Sequence, residues 1–362
     1  MTSFIFSADA HVVEPKGLYQ DRLPERLRDR ALQTERTGQH LLLKGDGRVL
    51  QKMMLADGNS GMGDQNEAHK RSGGSNIELR LQDMDRDGID AEIIFPTLAL
   101  MMWQCSRELM LETARVYNDW CIAHFKGHLH RFVPTAAIPT AEPAEAAAEF
   151  RRIAALGYRS AMIPLVTAEG VPTYNSADWD VLWQAAHDTR IPINLHAGTG
   201  APPVSIRGPG AAIMNYARLQ FQAMDAVSMM ISGGALDRFP GLQFVTVECG
   251  ASWLVGLGER LDEVHAAHQF YVQPKLSMKP SGFLYRQVKC SFQHDKACIR
   301  NRHITGVAPL LWASDYPHLE GTFPHSKQVI AGLFEGEAVP QHEQDAILGG
   351  NAAALYRLPK AA

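Results

Sequence analysis

The sequence predicts an α/β protein, and within that class a (β/α)8 barrel, or TIM barrel, with an insertion after the first strand. Eight short apolar runs, rich in β-branched and aromatic residues, alternate in most cases with amphipathic helical stretches. The length of 362 residues suits one such barrel with insertions, so residues 1–362 are interpreted as one domain. No glycine-rich nucleotide fingerprint follows a predicted strand, which disfavours the alternative of an open doubly wound sheet.

The predicted strands end in polar residues, glycine or proline, as buried parallel strands commonly do. In chain order they are FIFSAD from Phe4, AEIIFP from Ala91, RFVPTAAI from Arg131, YRSAMIP from Tyr158, IPINLH from Ile191, LQFVTVE from Leu242, QVKCSF from Gln287 and LLWASD from Leu310.

Amphipathic helices are predicted between these strands, for example RELMLETARVYNDWCIAHF from Arg107 and AEAAAEFRRIAALG from Ala144. Gly157 stands where a helix C-cap is expected, just before a strand. Ser176 can cap the N-terminus of the next helix, SADWDVLWQAAHDT.

An insertion from about residue 27 to residue 78 interrupts the alternation. Within it, QHLLLKGDGRVLQ predicts a β-hairpin that turns at Asp46 and Gly47. The stretch that follows is rich in glycine and polar residues. Because an insertion after the first strand lies on the active-site face of a barrel, the loop at about residues 56–75 is either a lid or an ordinary surface loop.

The composition limits the partners that we expect. Hydrophobic residues make up 46% and the net charge is −4, so we expect a sizeable core and no nucleic-acid or anionic membrane partner. Five cysteines without a C-x-x-C spacing indicate reduced thiols and a cytoplasmic protein. The first residues lack signal-peptide features, and no apolar run is long enough to span a membrane. We expect a small-molecule substrate and a possible homodimer.

Potential metal ligands follow the first, fifth and eighth predicted strands. Asp9 and His11 are two residues apart on an extended segment, so their side chains point the same way, into the barrel mouth. His196 ends the fifth strand and Asp315 ends the eighth. Two carboxylates and two imidazoles suit one divalent metal ion, such as zinc, manganese or iron, and leave a position open for water or substrate.

Other polar residues near strand ends are candidates for catalysis or substrate binding. Asp315 can act as a base, and Glu248 or His294 can protonate a leaving group. A structural role is an alternative for each of these. Four further residues are candidates for substrate binding. Arg80 or Arg207 can bind a carboxylate, His318 can line the pocket, and Trp312 can stack on an aromatic ring.

Several stretches, in this order, carry a resemblance to a known family: SADAHVVEP, RLQDMDRDGIDAEIIFPT, VYNDWCIAHF, RFVPTAAIP, INLHAG, VECGASW, LLWASDYPHLEGTFPHS and NAAALYRL. The chain resembles the amidohydrolase superfamily. Within it, the chain is similar to the amidohydrolase-2 group, which includes aminocarboxymuconate-semialdehyde decarboxylase and the resorcylate-type decarboxylases. The resemblance implies a single divalent metal in a (β/α)8 barrel, held by Asp9, His11, His196 and Asp315.

Two positions differ from the pattern of the family. Many relatives begin with H-x-H, whereas this chain has Asp9, and the harder carboxylate ligand favours manganese over zinc. The decarboxylases of the family have a catalytic histidine after the sixth strand, whereas this chain has Glu248.

We therefore expect a metal-dependent hydrolase in which metal-bound water attacks a carbonyl-type carbon of a small organic substrate. The alternative is a metal-dependent, non-oxidative decarboxylase of an aromatic or unsaturated carboxylic acid, with His294 as the candidate proton donor. A barrel that has lost catalysis and only binds is disfavoured by the intact set of four ligands.

Overall fold

The computed structural model describes residues 3–54, 72–200 and 206–359. Its strands are β1 (Phe6–Ser7), β2 (His11–Val12), β3 (Gln33–Thr37), β4 (His40–Gly45), β5 (Arg48–Met54), β6 (Ala91–Pro96), β7 (Phe132–Pro134), β8 (Ala136–Ala137), β9 (Ala161–Pro164), β10 (Ile193–His196), β11 (Phe244–Val247), β12 (Val288–Phe292) and β13 (Leu310–Trp312). All eight predicted strands therefore contain strand structure. RFVPTAAI is divided into β7 and β8, and β2 lies just beyond the predicted first strand.

The parallel strands close into a barrel. β1 and β2 both pair with β6, β6 pairs with β7, and β8 to β13 pair as consecutive parallel neighbours. The ring closes where the amide of Ala8 donates to the carbonyl of Trp312 (2.9 Å) and the amide of Asp315 donates to the carbonyl of Asp9 (2.9 Å). With β1/β2 and β7/β8 each counted as one position, the predicted (β/α)8 barrel is confirmed.

Helices surround the strands and cover the outer face of the barrel. The α-helices are Leu18–Arg22, Ile77–Asp87, Arg107–Phe125, Pro143–Ala155, Asp180–Thr189, Ala211–Ser232, Ala235–Arg238, Trp253–Ala267, Pro280–Gln287, Lys296–Thr305, Ser326–Phe334, Gln341–Asp345 and Asn351–Leu355. Short 3-10 helices are Glu25–Arg30, Ser72–Gly74, Ala99–Gln104, Lys126–His128 and Ala177–Trp179, and Ala346–Gly350 is a π-helical turn.

The predicted helix boundaries agree with the structure where we proposed capping residues. Ser176 accepts a hydrogen bond from the amide of Asp178 (3.2 Å) at the start of its helix. Gly157 has φ of +91° after the helix Pro143–Ala155, a conformation that glycine adopts without steric cost. Both residues therefore act at the helix ends that the sequence indicated.

The insertion after the first strand contains a three-stranded antiparallel sheet of β3, β4 and β5. Its predicted hairpin is confirmed, and the turn residues Asp46 and Gly47 have φ of +56° and +72°, as a type I′ turn requires. The loop at about residues 56–75, which is either a lid or a surface loop, lies mostly outside the described residues.

Among the described residues, no helix is both long and apolar enough to cross a membrane. The five cysteines are all free, as the sequence predicted.

Arg80 is a buried cation directly behind the active end of the barrel. It is 1% exposed, its Nε donates to Glu92 Oε2 (2.7 Å), and its Nη1 donates to the carbonyl of His11 (2.6 Å). Its guanidinium also lies 4.9 Å from the centre of the Tyr316 ring. Arg80 thus pairs with an internal carboxylate, which corrects the expectation that it contacts a substrate carboxylate.

We expect Arg80→Ala to lower the free energy of unfolding by about 3–5 kcal/mol, because it leaves the Glu92 carboxylate buried without a partner. Chemical denaturation measures the change. Arg260→Ala is the control, because Arg260 and Glu263 form an exposed pair whose loss should cost less than about 0.5 kcal/mol. Equal effects of the two substitutions would contradict the role assigned to Arg80.

Candidate metal centre and active site

The four predicted metal ligands converge at one end of the barrel. Asp9 precedes β2, His11 begins it, His196 ends β10, and Asp315 follows β13. Each of these residues is at most 1% exposed. The Nε2 atoms of the two histidines are 3.1 Å apart, and Asp9 Oδ1 lies 3.5 Å from each of them. Asp315 Oδ1 lies 3.6 Å from His11 Nε2.

Backbone carbonyls fix the orientation of both imidazoles. His11 Nδ1 lies 2.8 Å from the carbonyl oxygen of Pro96, and His196 Nδ1 lies 2.9 Å from the carbonyl oxygen of Ala197. In the neutral rings each Nδ1 therefore carries the proton, and each Nε2 presents a lone pair to the centre of the cluster. At 3.1 Å the two Nε2 atoms need a positive charge between them, either the proton of His196, whose pKa is raised to about 9 in the metal-free protein, or a bound metal ion in its place.

The carboxylates support the same interpretation. Within the described structure, Asp9 Oδ1 and Asp315 Oδ2 are buried and have no hydrogen-bond partner. Such atoms are costly unless a cation compensates them. Metal–ligand bonds of about 2.1 Å place neighbouring ligand atoms about 3.0–3.5 Å apart, which agrees with the separations in the cluster. The residues present thus fit one divalent metal, with nitrogen and oxygen ligands suited to zinc or manganese.

The backbone turns that present the acidic residues are strained. Asp315 has φ of +56° and Glu248 has φ of +61°, values that side chains other than glycine rarely adopt. Glu248 directly follows β11 and Asp315 is the third residue after β13, where such a turn directs the side chain across the mouth of the barrel. The positive φ values therefore mark the two acidic residues as candidates for function.

Glu248 lies beside the four ligands and remains partly open to solvent. Its Oε2 is 3.9 Å from His196 Nδ1, and its side chain is 20% exposed. Burial, followed by the negative charge of Asp315, raises the pKa of Glu248 to about 8. The carboxyl group is therefore protonated at neutral pH in the metal-free protein and can donate a proton.

His318 lies against two of the four ligands, Asp315 and His11. Its Nδ1 is 2.9 Å from Asp315 Oδ1, and its ring lies 4.1 Å, between centres, from the ring of His11. Burial by itself lowers the pKa of His318, but the charges of Asp315 and Glu248 outweigh burial and raise it to about 10. His318 is thus a cation at the edge of the site, in agreement with its predicted position in the pocket.

Two residues at the site were missed by the sequence analysis. A carboxylate oxygen of Glu320 lies within 4.8 Å of those of Glu248 and Asp315, and Glu320 accepts a hydrogen bond from the Tyr216 hydroxyl (3.2 Å). The spacing of Glu320 in SDYPHLE, five residues after Asp315, is a signal that could have been used. Tyr216, in the helix Ala211–Ser232, has no comparable signal.

The remaining predicted residues lie farther from the four ligands or in the core. Trp312 is fully buried in β13, and Arg207 and His294 are exposed. Among the described residues, neither the Arg207 side chain nor the His294 side chain contacts a metal ligand. The catalytic role of His294 and the substrate contacts of Arg207 and Trp312 stay predictions.

Comparison with known proteins identifies relatives along nearly the whole chain. The model of the family described as Amidohydrolase matches residues 9–358. A decarboxylase from Emericella nidulans is 30% identical over 156 residues, which cover 38% of this chain and 45% of that protein. The aligned part therefore spans less than half of the curated relative.

Solved structures share the fold at low sequence identity. An amidohydrolase from Mycobacterium avium subsp. paratuberculosis K-10 has a TM-score of 0.80 at 18% identity, with 98% of both chains covered. A variant of 5-carboxyvanillate decarboxylase from Novosphingobium aromaticivorans has a TM-score of 0.71 at 18% identity, covering 98% of this chain and 97% of that one. The second structure contains manganese and 3-methoxy-4-hydroxy-5-nitrobenzoic acid.

Loss of a carboxylate ligand should lower metal affinity. We expect Asp9→Asn and Asp315→Asn each to raise the dissociation constant for Mn²⁺ or Zn²⁺ at least about 100-fold, because a neutral amide replaces an anionic ligand. Calorimetric titration of the apo-protein measures the constant. Asp188→Asn, which changes a surface partner of Gln184, is the matched control. Unchanged affinity in both ligand variants would refute the assignment of the site.

Metal affinity should also fall as the pH decreases. Burial lowers the pKa of His196, but Asp9 and Glu248 outweigh burial and raise it to about 9 in the metal-free protein. Because a bound metal requires the neutral ring, binding below that pH releases a proton, and the dissociation constant should rise about tenfold per unit decrease in pH. Competition with a chelator at several pH values tests this, and a dissociation constant independent of pH would contradict it.

Proposed function

The chain belongs to the amidohydrolase family, and we propose that it is a metal-dependent decarboxylase that removes the carboxylate of a small hydroxyaromatic acid without an oxidant. The observation that carries this proposal is the position of Glu248. Its carboxyl group is at the edge of the metal cluster, 3.9 Å from His196 Nδ1, and in the metal-free protein its pKa is raised to about 8, so that it keeps its proton at neutral pH. A decarboxylase needs such a donor, because a proton must replace the lost carboxylate on carbon.

The substrate class is inferred from the relatives. The curated relative from Emericella nidulans is a decarboxylase, and a solved structure with the same fold is a 5-carboxyvanillate decarboxylase with bound manganese. The nitrobenzoic acid in that structure carries a hydroxyl next to a planar nitro group, which resembles a carboxylate in shape. A hydroxyl beside a carboxylate on an aromatic ring is therefore the substrate pattern that we propose.

The side chains at the site divide the work between binding and proton transfer. Asp9, His11, His196 and Asp315 would hold the metal, which when bound attracts the oxygens of the substrate and withdraws electron density from the ring. The cationic ring of His318 can donate a hydrogen bond to a substrate oxygen. Its position beside Asp315 keeps that ring at the edge of the site.

The proposed step balances without a further reactant. The bond between the ring carbon and the carboxylate breaks, and its electron pair stays on the ring carbon. Glu248 donates its proton to that carbon, so carbon dioxide and the protonated arene are the products. Glu248 is 20% exposed and can regain a proton from water. In the proposed mechanism, Glu248 thus takes the place of the histidine that the decarboxylases of the family have after the sixth strand.

Metal-dependent hydrolysis is the second candidate, and the carboxylate of Asp315 favours it. In the described structure Asp315 Oδ2 has no hydrogen-bond partner, so Asp315 can accept a proton from an attacking water. Glu248 would then protonate the leaving group. The two candidates share the metal centre and differ in the product, which is carbon dioxide only for the decarboxylase.

A reducing compartment is compatible with both candidates. The five free cysteines support the proposed cytoplasmic location. The homodimer remains a prediction from the sequence.

The reaction is tested with a panel of hydroxybenzoates, esters, amides and lactones, with carbon dioxide release measured separately from hydrolysis. We expect carbon dioxide release from at least one hydroxybenzoate, and we expect Glu248→Gln to lower kcat about 100-fold or more. Glu259→Gln, on an exposed helix surface, is the matched control. Metal-dependent hydrolysis without carbon dioxide would replace the proposal with the second candidate.

The proposed role of Glu248 also predicts the pH dependence of the reaction. The active form carries the proton, and burial with the charge of Asp315 raises the pKa to about 8. With the metal kept at saturating concentration at every pH, activity should therefore be retained below that pKa and lost as the pH rises through it. A rate profile of kcat against pH measures the change. A rate that continues to rise well above the pKa would indicate that Glu248 acts as a base.

A further inference from the structure

The turn that carries Glu248 is held by side chains from the neighbouring barrel position. After β11 the chain adopts φ of +61° at Glu248 and +67° at Gly250 before the helix Trp253–Ala267 begins. A positive φ at a residue other than glycine persists only where surrounding contacts enforce it. The contacts around this turn therefore decide where the Glu248 carboxyl group points.

The contacts come from β12 and the loop that follows it. The buried hydroxyl of Ser291 accepts a hydrogen bond from the amide of Glu248 (3.0 Å). Asp295 Oδ2 accepts two more, from the amides of Ala251 (2.8 Å) and Ser252 (2.7 Å). Three backbone amides of the turn, those of Glu248, Ala251 and Ser252, thus donate hydrogen bonds to β12 and the loop after it.

The carboxylate of Asp295 joins the turn to a second helix. Its Oδ1 accepts from the amide of Cys298 (3.3 Å), so the same side chain caps the helix Lys296–Thr305. Gly250 allows this close approach, since a Cβ atom at that position would lie 3.2 Å from Asp295 Oδ2. The amides at two helix N-termini favour an anionic partner, which fixes the carboxylate in place.

We infer that Asp295 is a positioning residue for Glu248: through the amides of Ala251 and Ser252 it holds the turn that directs the Glu248 carboxyl group at the metal cluster. Ser291 assists at the amide of Glu248 itself. This inference rests on the proposed function for its catalytic consequence, and on the geometry alone for its structural one. The predicted proton donor in SFQHD, His294, is exposed. Its neighbour Asp295 instead acts on the site indirectly, because its carboxylate accepts hydrogen bonds from backbone amides of the turn that carries Glu248.

Asp262 provides a matched control. Its carboxylate accepts hydrogen bonds from the amide (2.9 Å) and the hydroxyl (2.8 Å) of Ser281, at the start of the helix Pro280–Gln287. Asp262 is therefore a helix cap of the same chemical kind, but it does not contact the turn at residues 248–252. Asp295→Ala and Asp262→Ala should both lower the melting temperature. Only Asp295→Ala should also displace the Glu248 carboxyl group.

The test compares crystal structures of the unaltered protein, Asp295→Ala and Asp262→Ala. In Asp295→Ala we expect the Glu248 carboxyl group to turn to solvent, so that its Oε2 lies well beyond the 3.9 Å that separates it from His196 Nδ1 in the unaltered protein. Asp295→Asn, which keeps an acceptor oxygen, should restore part of the original position. Ser291→Ala provides a milder variant if Asp295→Ala does not fold.

Kinetics add a second readout if the protein is a decarboxylase. We expect Asp295→Ala to lower kcat about tenfold while KM stays within a factor of two, because the proton donor is displaced and the metal ligands are not. A Glu248 carboxyl group that keeps its position in the Asp295 and Ser291 variants would overturn the inference and leave Asp295 as a helix cap. Because the crystallographic readout needs no substrate, absence of decarboxylation would count against the proposed function alone.

Discussion

The site depends on the close approach of four buried ligand side chains at the active end of the barrel. The Nε2 atoms of His11 and His196 lie 3.1 Å apart, with unpartnered carboxylate oxygens of Asp9 and Asp315 beside them. Crowding buried polar groups in this way is unfavourable unless a proton or a metal ion compensates them, so the rest of the fold must hold them in place. The carbonyls of Pro96 and Ala197 orient the rings, and the closure of the barrel brings Asp315 to Asp9.

A layer of charge behind the ligands completes this support. Arg80 bonds to the carbonyl of His11 and to the buried Glu92, so it fixes the strand that carries the first ligands. Such a buried ion pair contributes little net stability but defines one arrangement, because removing either partner leaves a buried charge alone. Arg80 and Glu92, which are buried behind the ligands, thus help to fix the positions of the ligand side chains.

The chemistry depends on a different part of the site. The four ligands suit either decarboxylation or hydrolysis, whereas the proton donor distinguishes how each would proceed. Glu248 and His318 flank the ligands and hold protons at neutral pH, one as a neutral acid and the other as a cation. Backbone with positive φ places Glu248 and Asp315, and Asp315 in turn contacts His318. Side chains of the next barrel position, Ser291 and Asp295, hold the turn at Glu248 in this conformation.

The sequence by itself determined the barrel, the order of its strands and the four candidate ligands. Apolar runs and polar strand ends are local patterns, and the ends of parallel strands necessarily meet at one edge. Only the tertiary structure decided that Arg80 is internal, that His294 is exposed, that Asp295 holds the turn after Glu248, and that Tyr216 bonds to Glu320. These contacts join residues far apart in the chain through strained turns and backbone amides, and local patterns contain no information about either.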